Sequence, residues 1–277
     1  MSSTMRRGNL GGGRLMIAAL IAIVSIIGYY MQSQKNPITG ESQHVAMSPE
    51  QEVALGLQAA PEMAAQFGGL YQDPEAQALV DRVGNKVVQG SPAGQSGYPF
   101  EFHLLADPNT INAFALPGGQ VFITAALMNK LDTEGELAGV LGHEIGHVIG
   151  RHGAEHMAKA QLTQGLTGAA VIATYDPDDP NSRNTAAVAA MIGQLINLKY
   201  GRDDELESDK LGVQFASDAG YDPRSMLHVM TILADASSGQ APPEFMSTHP
   251  DPGNRAERIE QAIQELFPNG VPEGLVK

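Results

Sequence analysis

His143-Glu144-Ile145-Gly146-His147 sits inside an apolar run in which Leu137, Val140, Leu141, Ile145, Val148 and Ile149 recur at helical spacing. Thr133 and Glu136 stand three apart ahead of it and read as a capping box, so the five residues fall in mid-helix. On a helix, four residues advance the chain about 6 Å and turn it only about 40° past a full revolution, so both imidazoles leave from one face. Two histidines so placed can grip one metal ion. Glu144 follows the first of them and reaches a water at that ion, which suits it to take a proton rather than to be a ligand.

A hydrolytic zinc site needs three protein ligands and one open position, and the chain contains no cysteine. The third ligand must therefore be His, Glu or Asp, and an anchor through a lipidated cysteine is excluded. The acidic stretch Tyr200-Gly201-Arg202-Asp203-Asp204-Glu205-Leu206-Glu207-Ser208-Asp209 offers Glu205 and Asp209 on one helical face. One of the pair can bind the ion while the other accepts the free ring N–H of a ligating histidine.

H-E-I-G-H followed by Tyr-Gly-Arg-x-x-Glu-x-Glu-Ser-Asp resembles the zinc endopeptidase family that contains the CAAX prenyl proteases, the HtpX heat-shock proteases and the periplasmic BepA-like proteases. The resemblance implies that Glu205 is the third zinc ligand and Asp209 the carboxylate that orients a ligand. Ser208 stands where alanine is usual and Gly201 where serine is usual. Glu207 stays a rival ligand, because a small error in the helix boundary exchanges the faces.

Two more stretches carry the same resemblance. Asn112-Ala113-Phe114-Ala115-Leu116-Pro117-Gly118-Gly119 is similar to the family's N-A-F-A-x-P-G-G element, and an exposed sheet edge at Asn112, Ala113, Phe114 and Ala115 would align an extended peptide. Without the resemblance this stretch reads as an ordinary strand and glycine turn. Ser247-Thr248-His249-Pro250 with Arg255 resembles a late S-x-H-P-x-x-x-x-R element. His249 and Arg255 are thus candidates for a regulatory or oxyanion role, against the alternative of a surface histidine that caps the next helix. The resemblance extends from about Ser48 to about Phe267.

Leu15 to Met31 is apolar and uncharged, about as long as the shortest membrane-spanning helices, with Tyr29 and Tyr30 at the end where an aromatic belt falls. Arg6, Arg7 and Arg14 precede it, whereas the remainder carries 14 basic against 31 acidic residues, a net −17. Positive charge marks the cytoplasmic flank, so the expected arrangement is an N-terminus in the cytoplasm and the bulk of the chain on the periplasmic or extracytoplasmic side. No small-x-small pattern follows the apolar run, which favours an uncleaved anchor over a signal peptide. The acidic balance argues against nucleic acid as a partner.

The expected domains are 1–14 cytoplasmic, 15–31 transmembrane, 32–47 a polar linker and 48–277 the catalytic domain. Within that last domain, helices are expected after Ser48, Asp73, Thr133, about Gly153, before Glu205, after Asp222 and after Asp251, with strands at Phe100–Leu105 and Gln120–Thr124. This is an α+β, mostly helical, zincin-like layout with a small sheet beside the HExxH helix. Gly168–Thr174 and Thr185–Leu198 are too short to span a membrane and read as core helices, separated by a loop at Asp176–Asn184.

The expected function is zinc-dependent peptide hydrolysis with one Zn2+ per chain, acting on unfolded or misassembled envelope proteins. Two other classes compete with it. One is a chaperone-like binder of client chains with a mainly structural zinc, and the other a zinc hydrolase of a non-peptide bond. Nothing in the sequence fixes the oligomeric state.

Overall fold

The computed structural model describes residues 10–174, 201–237, 244–250 and 253–277. The expected features at Asp176–Asn184, Thr185–Leu198 and Asp251-Pro252 lie outside them. By their contacts the residues fall into two units: Asn36–Glu41, Met47–Ala154 and Lys199–Lys277 form one, and Met1–Lys35, Ser42–Ala46 and Glu155–Leu198 the other.

In the larger unit, helices α2 (Pro49–Gln66) and α3 (Pro74–Gly90) each begin with proline behind a side-chain cap, Ser48 and Asp73 respectively. Proline suits that position because its missing N–H would have had no partner in the first turn. A three-stranded sheet follows. Strand β3 (Glu101–Leu105) lies parallel to β5 (Gln120–Thr124), and β5 pairs antiparallel with β4 (Ala113–Leu116), giving the order β3-β5-β4 with β4 at an edge. The turn from β4 to β5 requires glycine: Gly118 has φ +84°, and a Cβ there would stand 2.4 Å from the Val53 Cα.

A short helix α4 (Ala125–Met128) leads to α5 (Glu134–Ile149), which carries the HExxH residues. Its capping box forms as the spacing predicts, with Glu136 N–H donating to Thr133 Oγ1 at 3.2 Å and Thr133 N–H donating to Glu136 Oε2 at 3.2 Å. Every residue from Gly135 to Ile149 is buried. Leu137, Leu141 and Ile145 pack in one core with Val80, Val83 and Val87 of α3 and with Phe102, Val121 and Ile123 of the sheet. A helix buried on all sides is held by packing rather than by propensity, which gives its histidines a rigid base.

Helix α6 (His152–Thr174) follows at once and takes in the expected Gly168–Thr174 segment. Helices α7 (Arg202–Asp218), α8 (Ser225–Ser237), α9 (Glu244–Thr248) and α10 (Arg255–Leu266) complete the described elements of the larger unit. Two starts differ from expectation. Helix α8 begins three residues beyond Asp222, whose carboxylate is gripped instead by Arg224 Nε at 2.9 Å and Nη2 at 2.6 Å. Helix α10 begins behind Asn254.

In the smaller unit, α1 (Leu10–Met31) contains a 19-residue stretch, Gly13–Met31, long and apolar enough to cross a membrane. Part of the stretch expected as a plain linker is ordered as an antiparallel pair, β1 (Ser33–Lys35) with β2 (Ser42–His44), and His44 stacks on Tyr29 at 4.3 Å.

Candidate metal centre

Helices α5 and α7 meet through glycine. A Cβ on Gly212 would stand 2.9 Å from the backbone N of His143, and one on Gly146 would stand 3.0 Å from the carbonyl oxygen of Ser208. With no side chains at these points the two backbones come close enough for residues one turn away to touch. Glu205 then reaches both histidines, its Oε2 3.6 Å from His143 Nε2 and its Oε1 3.4 Å from His147 Nε2.

The two Nε2 atoms are 3.0 Å apart, and His249 Nδ1 joins them at 3.4 Å from His143 Nε2 and 3.0 Å from Glu205 Oε1. One donor atom from each of the four residues lies within 4.8 Å of all the others, and all four residues are buried. Four ligands placed tetrahedrally at zinc's usual 2.0–2.1 Å stand roughly 3.3 Å from one another, so the spacing fits such an ion. Imidazole nitrogens turned toward each other in a buried space also fit a cation better than they fit one another. Both oxygens of Glu144 are buried beside this group and make no hydrogen bond to any described residue.

Burial and charge act on these side chains in opposite directions. Burial holds the His147 pKa well below the usual imidazole value, so the ring is neutral. Burial alone would raise Glu205, but the imidazoles of His147, His249 and His143 around it outweigh burial and hold the carboxyl far below its usual range. Asp209 behaves alike: burial acts against ionisation, and the Arg255 guanidinium overcomes it. For Glu144 burial, the largest influence, outweighs the opposing pull of His249, His143 and Arg255, and its pKa is raised. His249 is raised despite burial, by the Glu144 and Glu205 carboxylates around it.

Asp209 Oδ1 is 2.9 Å from His143 Nδ1, on the side of the ring away from the cluster. Arg255, the first residue of α10, clamps Asp209 through Nε at 2.8 Å and Nη2 at 2.7 Å and reaches Glu205 Oε2 with Nη1 at 3.2 Å. His249 is fully buried within the donor group rather than on a surface loop. Glu207 stands outside the group and faces His152, with Oε2 3.3 Å from its Nε2. Asn112 precedes β4, and Asn112, Ala113, Phe114 and Ala115 are at most 9% exposed.

The model of peptidase family M48 matches residues 74–263, which span the sheet, α5 and α7. The chain belongs to peptidase family M48. It is 32% identical over 239 residues to the beta-barrel assembly-enhancing protease of Yersinia pestis, covering 84% of this chain and 48% of that protein. Against the same-named protein of Escherichia coli K12 it is 30% identical over 268 residues, 91% of this chain and 53% of the relative. The mitochondrial metalloendopeptidase OMA1 of Bos taurus is 29% identical over 263 residues, 88% and 49% respectively. The chain spans about half the length of these relatives.

Two features of this M48 chain carry no sequence signal that periodicity can read. His152 lies five residues past His147, which on an unbroken helix is about 140° around the axis. The helix breaks between them, with Arg151 at φ +55°, and the turn brings His152 Nδ1 to 2.9 Å from His147 Nδ1. Arg151 is the only described non-glycine residue with positive φ, and it is held by Glu52 through Nε at 3.1 Å and by the Met47 carbonyl at 2.7 Å. Gly150 was the available clue to that break. Beside it, a recess next to His147 is walled by Ala115, Leu116 and Pro117 at the end of β4 and by Val148 and Arg151.

Proposed function

We propose that this M48 member is a zinc-dependent endopeptidase, anchored to a membrane by α1, that cuts unfolded or misassembled envelope proteins. One observation carries the reading: His143 and His147 from α5 meet Glu205 from α7, with the buried Glu144 carboxylate beside them. His143, His147 and Glu205 would hold one Zn2+, and Asp209 would accept the His143 Nδ1 proton so that Nε2 faces the ion. When bound, the ion supplies Lewis acidity to water and to the scissile carbonyl at neutral pH.

Glu144 takes the proton of the attacking water and hands it to the leaving amine. Its burial strengthens it as an acceptor, because a desolvated carboxylate binds a proton more tightly. Strand β4 has one edge without a strand partner among the described residues, and an extended substrate would align there at Asn112 to Ala115 by displacing what buries them. Three arginines before the apolar run Leu15–Met31 and the acidic remainder support a cytoplasmic N-terminus and an extracytoplasmic 48–277 domain.

The test is digestion of an unfolded protein library by the wild type, by the wild type with a chelator and by Glu144→Gln. Cleavage by the wild type alone, with zinc still bound to Glu144→Gln, supports the reading. Full turnover in Glu144→Gln rules out the base.

The position of His249 favours a second reading. It supplies a fourth protein donor, and closed four-ligand shells are typical of structural zinc. In that reading the chain holds client proteins and the zinc is a staple. Two variants separate the readings. If the site is catalytic, His249→Ala opens the fourth position and raises turnover; if it is structural, clients bind equally to the wild type and Glu144→Gln and neither cuts.

A further inference from the structure

The second histidine of the donor group is backed by a second imidazole. His147 turns Nε2 into the cluster and places Nδ1 2.9 Å from Nδ1 of His152, while His152 Nε2 is 3.3 Å from Glu207 Oε2. His152 is 1% exposed, and the Glu207 side chain about a quarter exposed. Ser208 Oγ also approaches the same His152 Nδ1, at 3.3 Å.

Only one arrangement of protons suits a ligating His147. Its Nε2 must offer a lone pair, so the ring proton sits on Nδ1 and points at His152. His152 Nδ1 must then accept, and its own proton sits on Nε2, where Glu207 accepts it. Ser208 can add its hydroxyl proton to the same acceptor nitrogen. His143 achieves the same end directly through Asp209.

We infer that His152 and Glu207 form a relay that fixes the tautomer of His147 and passes the Glu207 charge to it, making both positioning residues for the metal. The inference rests on the zinc site proposed above. A carboxylate acting through an intervening imidazole raises the basicity of the ligand nitrogen, as a direct carboxylate does. The glutamate that spacing offers as a rival ligand thus serves the site from behind, and the break at Arg151 is what makes room for the relay.

Zinc affinity of the full chain, measured by competition with a chromophoric chelator, tests this without reference to activity. His152→Ala is expected to weaken zinc binding about tenfold to a hundredfold. Glu207→Gln is expected to weaken it less, and the double variant no more than His152→Ala alone, because the glutamate acts only through the histidine. His152→Asn keeps an acceptor near the Nδ1 position but cannot reach Glu207. Its expected affinity lies between those of the wild type and His152→Ala, and adding Glu207→Gln should change nothing.

Nitrogen-15 spectra of the zinc-loaded wild type should show His152 protonated on Nε2 and bare on Nδ1. Wild-type affinity in His152→Ala, additive losses in the double variant, or a His152 proton on Nδ1 would each overturn the relay. A wild type that binds no zinc, or binds it undiminished in His143→Ala, overturns the site reading itself and the relay with it.

Discussion

Arg255 shows how much of the centre depends on one buried charge behind the donor atoms. It is 2% exposed, bidentate on Asp209 and within 3.2 Å of Glu205. Removing one partner of a buried ion pair strands the other, at a cost of about 3–5 kcal/mol. Arg255→Met should lose about that much in urea unfolding of the chelator-treated protein. The sign of its pH dependence follows from the depressed Asp209 pKa. A depressed carboxyl adds stability above its unfolded value of about 3.9, and that stability disappears as pH falls through the folded value. The gap between wild type and Arg255→Met should therefore be widest near neutral pH and close in acid, once Asp209 is protonated in both. A gap that stays constant across this range would mean that Arg255 acts by packing alone.

The crossing of α5 and α7 sets the distance on which the donor group depends. A methyl on Gly212 would meet backbone, not a flexible side chain, at 2.9 Å from His143 N and 3.2 Å from Gly142 C. Helix propensity favours alanine by about 1 kcal/mol, but forcing apart packed backbones costs about 1–3 kcal/mol. Gly212→Ala should come out less stable than Lys210→Ala on the exposed side of the same helix, and its zinc affinity should fall with it. Equal zinc affinity in the two variants would show that Glu205 does not depend on the approach. At the scale of elements, much of the fold is legible in the sequence. Capping residues at Ser48, Asp73 and Thr133, the two i, i+4 pairs and the two hydrophobic strands all declare themselves through local chemistry. The β1-β2 pair does not, being six polar residues with no alternation of apolar side chains. Nor does His152, since its role depends on a helix break whose geometry comes from a long-range clamp between Arg151 and Glu52.

Across the whole chain, charge and hydropathy are segregated in a way that makes a membrane prediction. The 22 residues of α1 would extend about 33 Å as a straight helix, enough to cross a hydrocarbon layer of about 30 Å. Leu15, Met16, Ile17, Leu20, Ile23, Val24 and Ile27 are more than half exposed on it, an apolar surface that water would not leave bare. The three arginines all precede the apolar run Leu15–Met31 in the sequence, while the remainder has an acidic balance that an anionic leaflet would repel. Full-length protein should therefore stay with membranes through an alkaline carbonate wash, and a chain starting at Ser48 should wash free while keeping its zinc. Protease added outside intact cells with a permeabilised outer layer should digest the 48–277 region and spare a tag placed before Arg6. Digestion of the tag with protection of the 48–277 region would invert the orientation. Release of the full-length chain by carbonate would instead remove the anchor and leave the metal centre, which draws no residue from α1, untouched.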